Sequence, residues 1–281
     1  MTVPGSQLKF GLYMPTFGPL GNPKAIVDLA RRAEDTGWDG FFLWDHINSD
    51  GARPVVDPWT CFGAIAQATE RIRFGPMINP LPRRRPWVVA RHTATLSELS
   101  GGRFIFGAGL GTDEYGDLSQ YGEPASAAVR SEMFGEAIGI VRAMWAGRAG
   151  DHCGRHYQVT LKEDAPVTHS IPVWIASSAL GPAAIKRAAE ADGIFPNPAD
   201  RELTPVDVSN IVAAVREAGR PAERSFDIAV RGNASPALPD PRPVPLAELA
   251  DAGMTWWLET LIHFDPLELS MKITEAGPPR P

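Results

Sequence analysis

Two cysteines, Cys61 and Cys153, are all that the 281 residues hold, and they form no paired pattern. That argues against a disulfide framework and for a reducing compartment. Lysine is nearly as scarce: Lys9, Lys24, Lys162, Lys186 and Lys272 are the whole set, so the 27 basic residues are mostly arginine. Positive charge is not in excess. The formal net charge is −6 and the isoelectric point about 5.6, a poor basis for nucleic-acid binding, which usually needs a basic face. No apolar run is long enough to span a membrane, and the opening MTVPGSQLKFGLYMPTFG lacks a charged segment followed by an apolar one. The expectation is a soluble, cytoplasmic protein with no membrane or nucleic-acid partner.

What the chain does have is alternation of short apolar runs with longer helical periods. KFGLYM (Lys9 to Met14) reads as a first strand. The helix after it places Ile26, Leu29, Ala30 and Ala33 on one face and stops at Gly37. GFFLWDH is a second strand ending at His46. Asp57 and Pro58 then open the second helix as its cap and first residue. IRFGPMIN, RFIFGAGLG, PVWIASS, GIFPN, SFDIAVRG and MTWWLET read as strands three to eight, each followed by a helical segment. Eight strand–helix units with no linker between them predict an α/β fold. The form expected is one (β/α)8 TIM barrel domain over 1–281, rather than a doubly wound sheet. Two excursions break the rhythm, at about 112–125 and 147–170. In the second, CGRHYQV has the make-up of a small hairpin. The proline-rich SPALPDPRPVP (Ser235 to Pro245) follows strand seven and reads as a lid or wall.

Barrels do their chemistry at the C-terminal ends of their strands. Those ends bring no converging set of histidines and carboxylates, so no metal site is expected. His152 and His156 lie in the second excursion and read as loop polarity. No lysine falls at a strand end, which argues against Schiff-base chemistry, and no G-x-S-x-G elbow is present. GAGLGT is not a dinucleotide fingerprint: its spacing is G-x-G-x-G, and the next helix starts only near Ser126. Its glycines either let a flat ring or pyrophosphate approach the backbone, or merely permit tight strand packing. Arg83, Arg84 and Arg85 precede a helix whose N-terminus is already partly positive. They are therefore read as taking a phosphate or a substrate carboxylate, or else as solvated loop charges paired to surface acids.

GFFLWDH, GPMINPLPRRRPWVVARHTATLSELSGGRFIFGAGLG, WAGRAGDHCGRHYQV and IPVWIASSALGPAAIKRAAEADGIFP together resemble the bacterial luciferase-like superfamily. Its members are flavin- or deazaflavin-dependent oxidoreductases on a (β/α)8 barrel. The resemblance runs from about Leu8 to Glu259, with LSGGRFIFGAGLG its most specific part. It implies an oxidoreductase moving a hydride between coenzyme F420, a deazaflavin, and a small organic substrate at the barrel mouth.

The Asp45–His46 pair is similar to that of deazaflavin-dependent members and makes His46 the catalytic candidate. A histidine, with an ordinary pKa of about 6.5, suits proton transfer near neutral pH. A structural histidine at the rim is the other reading. The resemblance also implies a non-proline cis peptide near Met77–Ile78, with Met77, Ile78 and Asn79 at the ring, and Gly109 and Gly111 flanking it. Ser177 and Ser178 would hold the cofactor phosphate ahead of Gly181 and Pro182, and Arg83 the acidic tail. FMN with monooxygenase chemistry, and a non-catalytic flavin-binding protein, are the alternatives. A homodimer is a common assembly in the family.

Sugar-phosphate members place an acid just after strand four and basic residues at later strand ends. Here Asp113 and Glu114 are out of register and FPNPAD has no lysine, so such a substrate is not expected. Trp44, Trp256 and Trp257 point instead to an aromatic-lined pocket.

Overall fold

The protein is described from a computed structural model that covers residues 8–49, 51, 54–240 and 243–279. Strand β1 (Lys9–Met14) lies between β2 (Gly40–Leu43) and the last strand, β11 (Trp256–Thr260). Beyond β2 comes β3 (Arg73–Pro76). From β11 the sheet continues through β10 (Asp227–Gly232), β9 (Gly193–Pro196), β8 (Val173–Ser177) and β5 (Phe106–Gly109) to the two-residue β4 (Asn79–Pro80). Every pairing in this sheet is parallel.

The segment expected as one third strand is thus two, β3 and β4, separated by the cis peptide Met77–Ile78. β3 pairs with β2 and β4 with β5, and a bridge from Phe74 to Phe104 joins the two edges. The sheet closes as a (β/α)8 barrel.

Among the described residues eight α-helices cover it: α1 (Pro23–Asp35), α2 (Pro58–Ala68), α3 (Pro86–Leu99), α4 (Ala127–Trp145), α5 (Pro182–Ala189), α6 (Pro205–Glu217), α7 (Leu246–Asp251) and α8 (Leu267–Ala276). Their starts follow local chemistry. Asp57 caps α2 by accepting from the Thr60 N–H, Ser126 caps α4, and Thr204 and Asp207 form a reciprocal capping box on α6. The expected face of α1, Ile26, Leu29, Ala30 and Ala33, is buried.

The barrel interior is filled by inward-facing residues, among them Phe42, Ile105, Trp174, Phe195, Trp256 and Leu258. Room for these rings comes from Gly40: a Cβ there would lie 2.6 Å from the Phe42 ring and 2.7 Å from the Trp256 ring. Trp256 is therefore core. Trp257, on the opposite side of the same strand, packs in the outer core and donates its Nε1–H to Glu259. The aromatic-pocket reading fails for both, and of the three tryptophans only Trp44 stands at the mouth, partly buried.

The second excursion forms an antiparallel hairpin, β6 (Gly150–Cys153) with β7 (Gln158–Leu161). His152 and His156 are clasped by Glu136 and Glu132 of α4, at 3.2 and 3.0 Å. Pro241 and Arg242 of the proline-rich segment lie outside the described residues. Its beginning is pinned where the buried Glu259 carboxylate accepts the N–H groups of Ala234 and Ser235, each at 2.9 Å.

Candidate active site

β2 ends at Leu43, and the next three residues, Trp44, Asp45 and His46, emerge at the C-terminal mouth. The Asp45 side chain is 1% exposed, and a carboxylate buried that deeply needs its oxygens filled. Asn79 donates to it at 2.8 Å, the Trp59 indole at 2.9 Å, and Arg84 at 2.8 and 3.1 Å. Arg83 donates to the same carboxylate at 2.7 Å and to the Asp45 carbonyl at 2.8 Å. Burial pushes the Asp45 carboxyl up, but Arg84 and Arg83 outweigh it and hold it below the ordinary carboxylate range.

Neither sequence reading of the arginines foresaw this partner. Arg83, 4% exposed, and Arg84 are internal counter-ions; Arg85 alone stays exposed, its guanidinium 5.9 Å from the Trp87 ring. Asp45 and Asn79 are bound to protein groups and nearly closed to solvent, so they hold the strand ends that carry the site.

His46 is 18% exposed. Its Nδ1 lies 2.5 Å from Asp117 Oδ2, in the excursion after β5, and the other Asp117 oxygen accepts the N–H groups of Ile47 and Asn48 at 2.9 and 2.8 Å. Burial pushes the Asp117 carboxyl up; the His46 and backbone hydrogen bonds more than offset that, and the net shift is downward. Rings surround the histidine: Tyr115 at 5.1 Å, Trp44 at 5.9 Å and Phe17 at 5.9 Å. The Nε2 atom has no hydrogen-bond partner among the described residues.

Sequence reasoning missed Asp117. Of the acids in that excursion it singled out Asp113 and Glu114, which are both exposed, and Asp113 only caps the backbone of Leu118 and Ser119. The available signal was slight: an acid directly before Leu118, which is buried.

The other candidate positions lie around the same mouth. Met77 is buried in the barrel interior and Ile78 is partly buried beside it. Gly109 stands under Ile78, where a Cβ would come within 3.0 Å of Ile78 Cδ1 and 3.5 Å of the Ala176 methyl. Gly111 has φ +77°, a conformation suited to glycine. Ser177 Oγ accepts the Leu180 N–H at 3.2 Å, Ser178 is exposed, and α5 begins at Gly181 with no side-chain cap. Arg231, at the end of β10, holds Asn197 and the Pro198 carbonyl.

Among the described residues no group of three or more histidine, cysteine or carboxylate side chains could hold a metal, and no helix is long and apolar enough to cross a membrane.

Residues 8–244 match the family described as luciferase-like monooxygenase. A glucose-6-phosphate dehydrogenase of Microbacterium testaceum, F420-dependent by name, is 32% identical over 67% of this chain and 55% of its own length. The same enzyme of Beutenbergia cavernae is 33% identical over 59% of this chain and 50% of its own. The chain thus spans about half the length of the curated relatives it matches. Among solved structures, an F420-dependent secondary alcohol dehydrogenase superposes with TM-score 0.74 at 19% identity, covering 96% of this chain and 97% of that one. A monooxygenase from Streptomyces bottropensis does so with TM-score 0.74 at 20% identity, covering the same shares. At such identities these two likenesses bear on the fold alone. With the family match over most of its length and a closed parallel barrel beneath it, the chain belongs to the luciferase-like family.

Proposed function

We propose that this protein is an oxidoreductase that uses coenzyme F420 and carries a proton to or from a small organic substrate on His46. The observation that carries the reading is the histidine itself. It is partly exposed at a strand end, tethered through Nδ1 and left with Nε2 uncommitted among the described residues. F420 dependence in the names of relatives about one-third identical supports the cofactor.

The residues at the mouth fit a flat ring. Ile78, Gly109 and Ala176 lie together there, and a Cβ on Gly109 would press within 3.0 Å of the end of the Ile78 side chain. Ser177, Ser178 and the start of α5 at Gly181 would hold the cofactor phosphate, since backbone N–H groups at a helix start favour an anion. The expectation that Arg83 takes the acidic tail is set aside, because its guanidinium is used on Asp45.

When bound, the deazaflavin accepts or supplies a hydride. For a substrate alcohol, His46 Nε2 takes the hydroxyl proton as the carbon loses its hydride; in reduction it returns that proton to the carbonyl oxygen. Trp44, Tyr115 and Phe17 keep the imidazole among rings.

Among the described residues, the arginines at the mouth, Arg83, Arg84 and Arg231, are turned onto protein acceptors, which favours a small substrate without a phosphate. In this the site departs from what the relatives' name implies for theirs.

The test is a fluorescence titration with F420 and with FMN, followed by His46→Ala. Binding of F420 with turnover that falls roughly 10²–10⁴-fold in the variant supports the reading. Binding of FMN alone, or unchanged turnover with F420 still bound, removes it.

A further inference from the structure

We infer that Asp117 is a positioning residue that selects the tautomer of His46, placing the proton on Nδ1 and the lone pair on Nε2. The inference rests on His46 being the proton-transfer group proposed above, and it adds which of its nitrogens reacts and what decides that.

The geometry is a buried carboxylate used on two sides. Oδ2 lies 2.5 Å from His46 Nδ1, while Oδ1 accepts the N–H groups of Ile47 and Asn48 at 2.9 and 2.8 Å. Those two residues directly follow His46, so one carboxylate fixes both the ring and the backbone that carries it. Asp117 is 2% exposed, and among the described residues the arginine that comes near it is Arg83, whose Nη1 stands 3.6 Å away. A carboxylate so placed is an acceptor only. A neutral imidazole must then donate from Nδ1, and its acceptor lone pair falls on Nε2. The remaining neighbours of the ring, Phe17, Trp44 and Tyr115, lie at ring-centroid distances of 5.1–5.9 Å and supply packing. Asp117 touches neither substrate nor reacting atoms in this reading; it acts through the histidine.

The two-sided use makes a sharp prediction for Asp117→Asn. The Ile47 and Asn48 N–H groups still need an acceptor, so the amide oxygen turns to them. The amide NH2 then meets His46 Nδ1, which must accept, and the ring proton moves to Nε2. Substitution of the aspartate in a catalytic triad by asparagine follows the same logic.

The experiment is nitrogen NMR on protein labelled with 15N-histidine, free of cofactor, at a pH where the ring is neutral. The His46 signals are identified by their loss in His46→Gln. The expected result is a bare Nε2 and a protonated Nδ1 in the wild type, exchanged in Asp117→Asn. Turnover with F420 falls roughly 10²–10⁴-fold while F420 affinity is kept.

A wild-type ring protonated on Nε2 overturns the inference, as does an Asn variant with the tautomer unchanged. If Asp117→Asn does not fold, the wild-type tautomer alone decides. The expected tautomers in a protein that binds no F420 would uphold Asp117 as the positioning residue and overturn the cofactor reading instead.

Discussion

Arg83 stands between two buried carboxylates that belong to different parts of the mouth, 2.7 Å from Asp45 and 3.6 Å from Asp117. One guanidinium thereby links the residue before His46 to the residue that holds its ring. Removing it leaves Asp45, among the described residues, with Arg84 as its remaining close cation. Breaking a buried pair by deleting one partner costs about 3–5 kcal/mol. Arg83→Met is therefore expected to lower the stability of the fold by that order in chemical denaturation at pH 7. Arg85→Ala, at an exposed position, should change it by less than about 0.5 kcal/mol. Equal effects of the two variants would refute the assignment.

The same pair sets an acid limit. Arg84 and Arg83 hold the Asp45 carboxyl below its unfolded value despite burial, so its contribution is fully present above about pH 4. It is lost as pH falls from there through the folded value. The stability gap between the wild type and Arg83→Met should be constant from pH 5 to 7 and narrow below about pH 4. A gap that stays constant down to acid unfolding would show that Asp45 is not the group involved.

Glu259 works in the opposite direction. Burial raises its carboxyl above the ordinary value, against the hydrogen bonds from Trp257, Ala234 and Ser235. The folded state then keeps a proton that the unfolded state has released. Stability attributable to this residue falls as pH rises from the unfolded value of about 4.3 to the folded one, and is level above it. Relative to Glu259→Gln, the wild type should therefore lose ground across that window. Denaturation midpoints of both proteins between pH 4 and 8 measure it; parallel curves would contradict the sign.

Gly40→Ala tests the barrel packing. The new Cβ would lie 2.6 Å from the Phe42 ring and 2.7 Å from the Trp256 ring, neither of them the loose end of a flexible chain. Overpacking of this kind costs about 1–3 kcal/mol. A melting temperature within a degree of the wild type would mean that the interior has slack which this geometry does not show.

The alternation of strand and helix, the helix caps and the hairpin were all legible from the sequence, because each is set by neighbours within a few residues. Asp57 and Thr60 are a cap and its partner three apart. The position of His46 was legible for a related reason: it follows closely on a strand, and a barrel puts its strand ends at one face.

What stayed hidden are the partners. Asp45 and Arg83 are 38 residues apart, and His46 and Asp117 are 71 apart. Three consecutive arginines before a helix read as a grip on a bound anion or as loop charges paired to surface acids until the closing of the barrel lays Asp45 against two of them. Trp256 and Trp257 are adjacent in the chain, yet the alternation of side chains along a strand sends one into the barrel and the other outward. Periodicity tells which residues share a face and where an element stops. Which face meets which across the closed sheet depends on long-range packing of rings and charges, and no local pattern carries that. The sequence by itself thus determined the barrel and the histidine at its mouth. Only the tertiary structure decided what holds that histidine, because a buried carboxylate takes as its partners whatever donors the closed fold brings within hydrogen-bond reach.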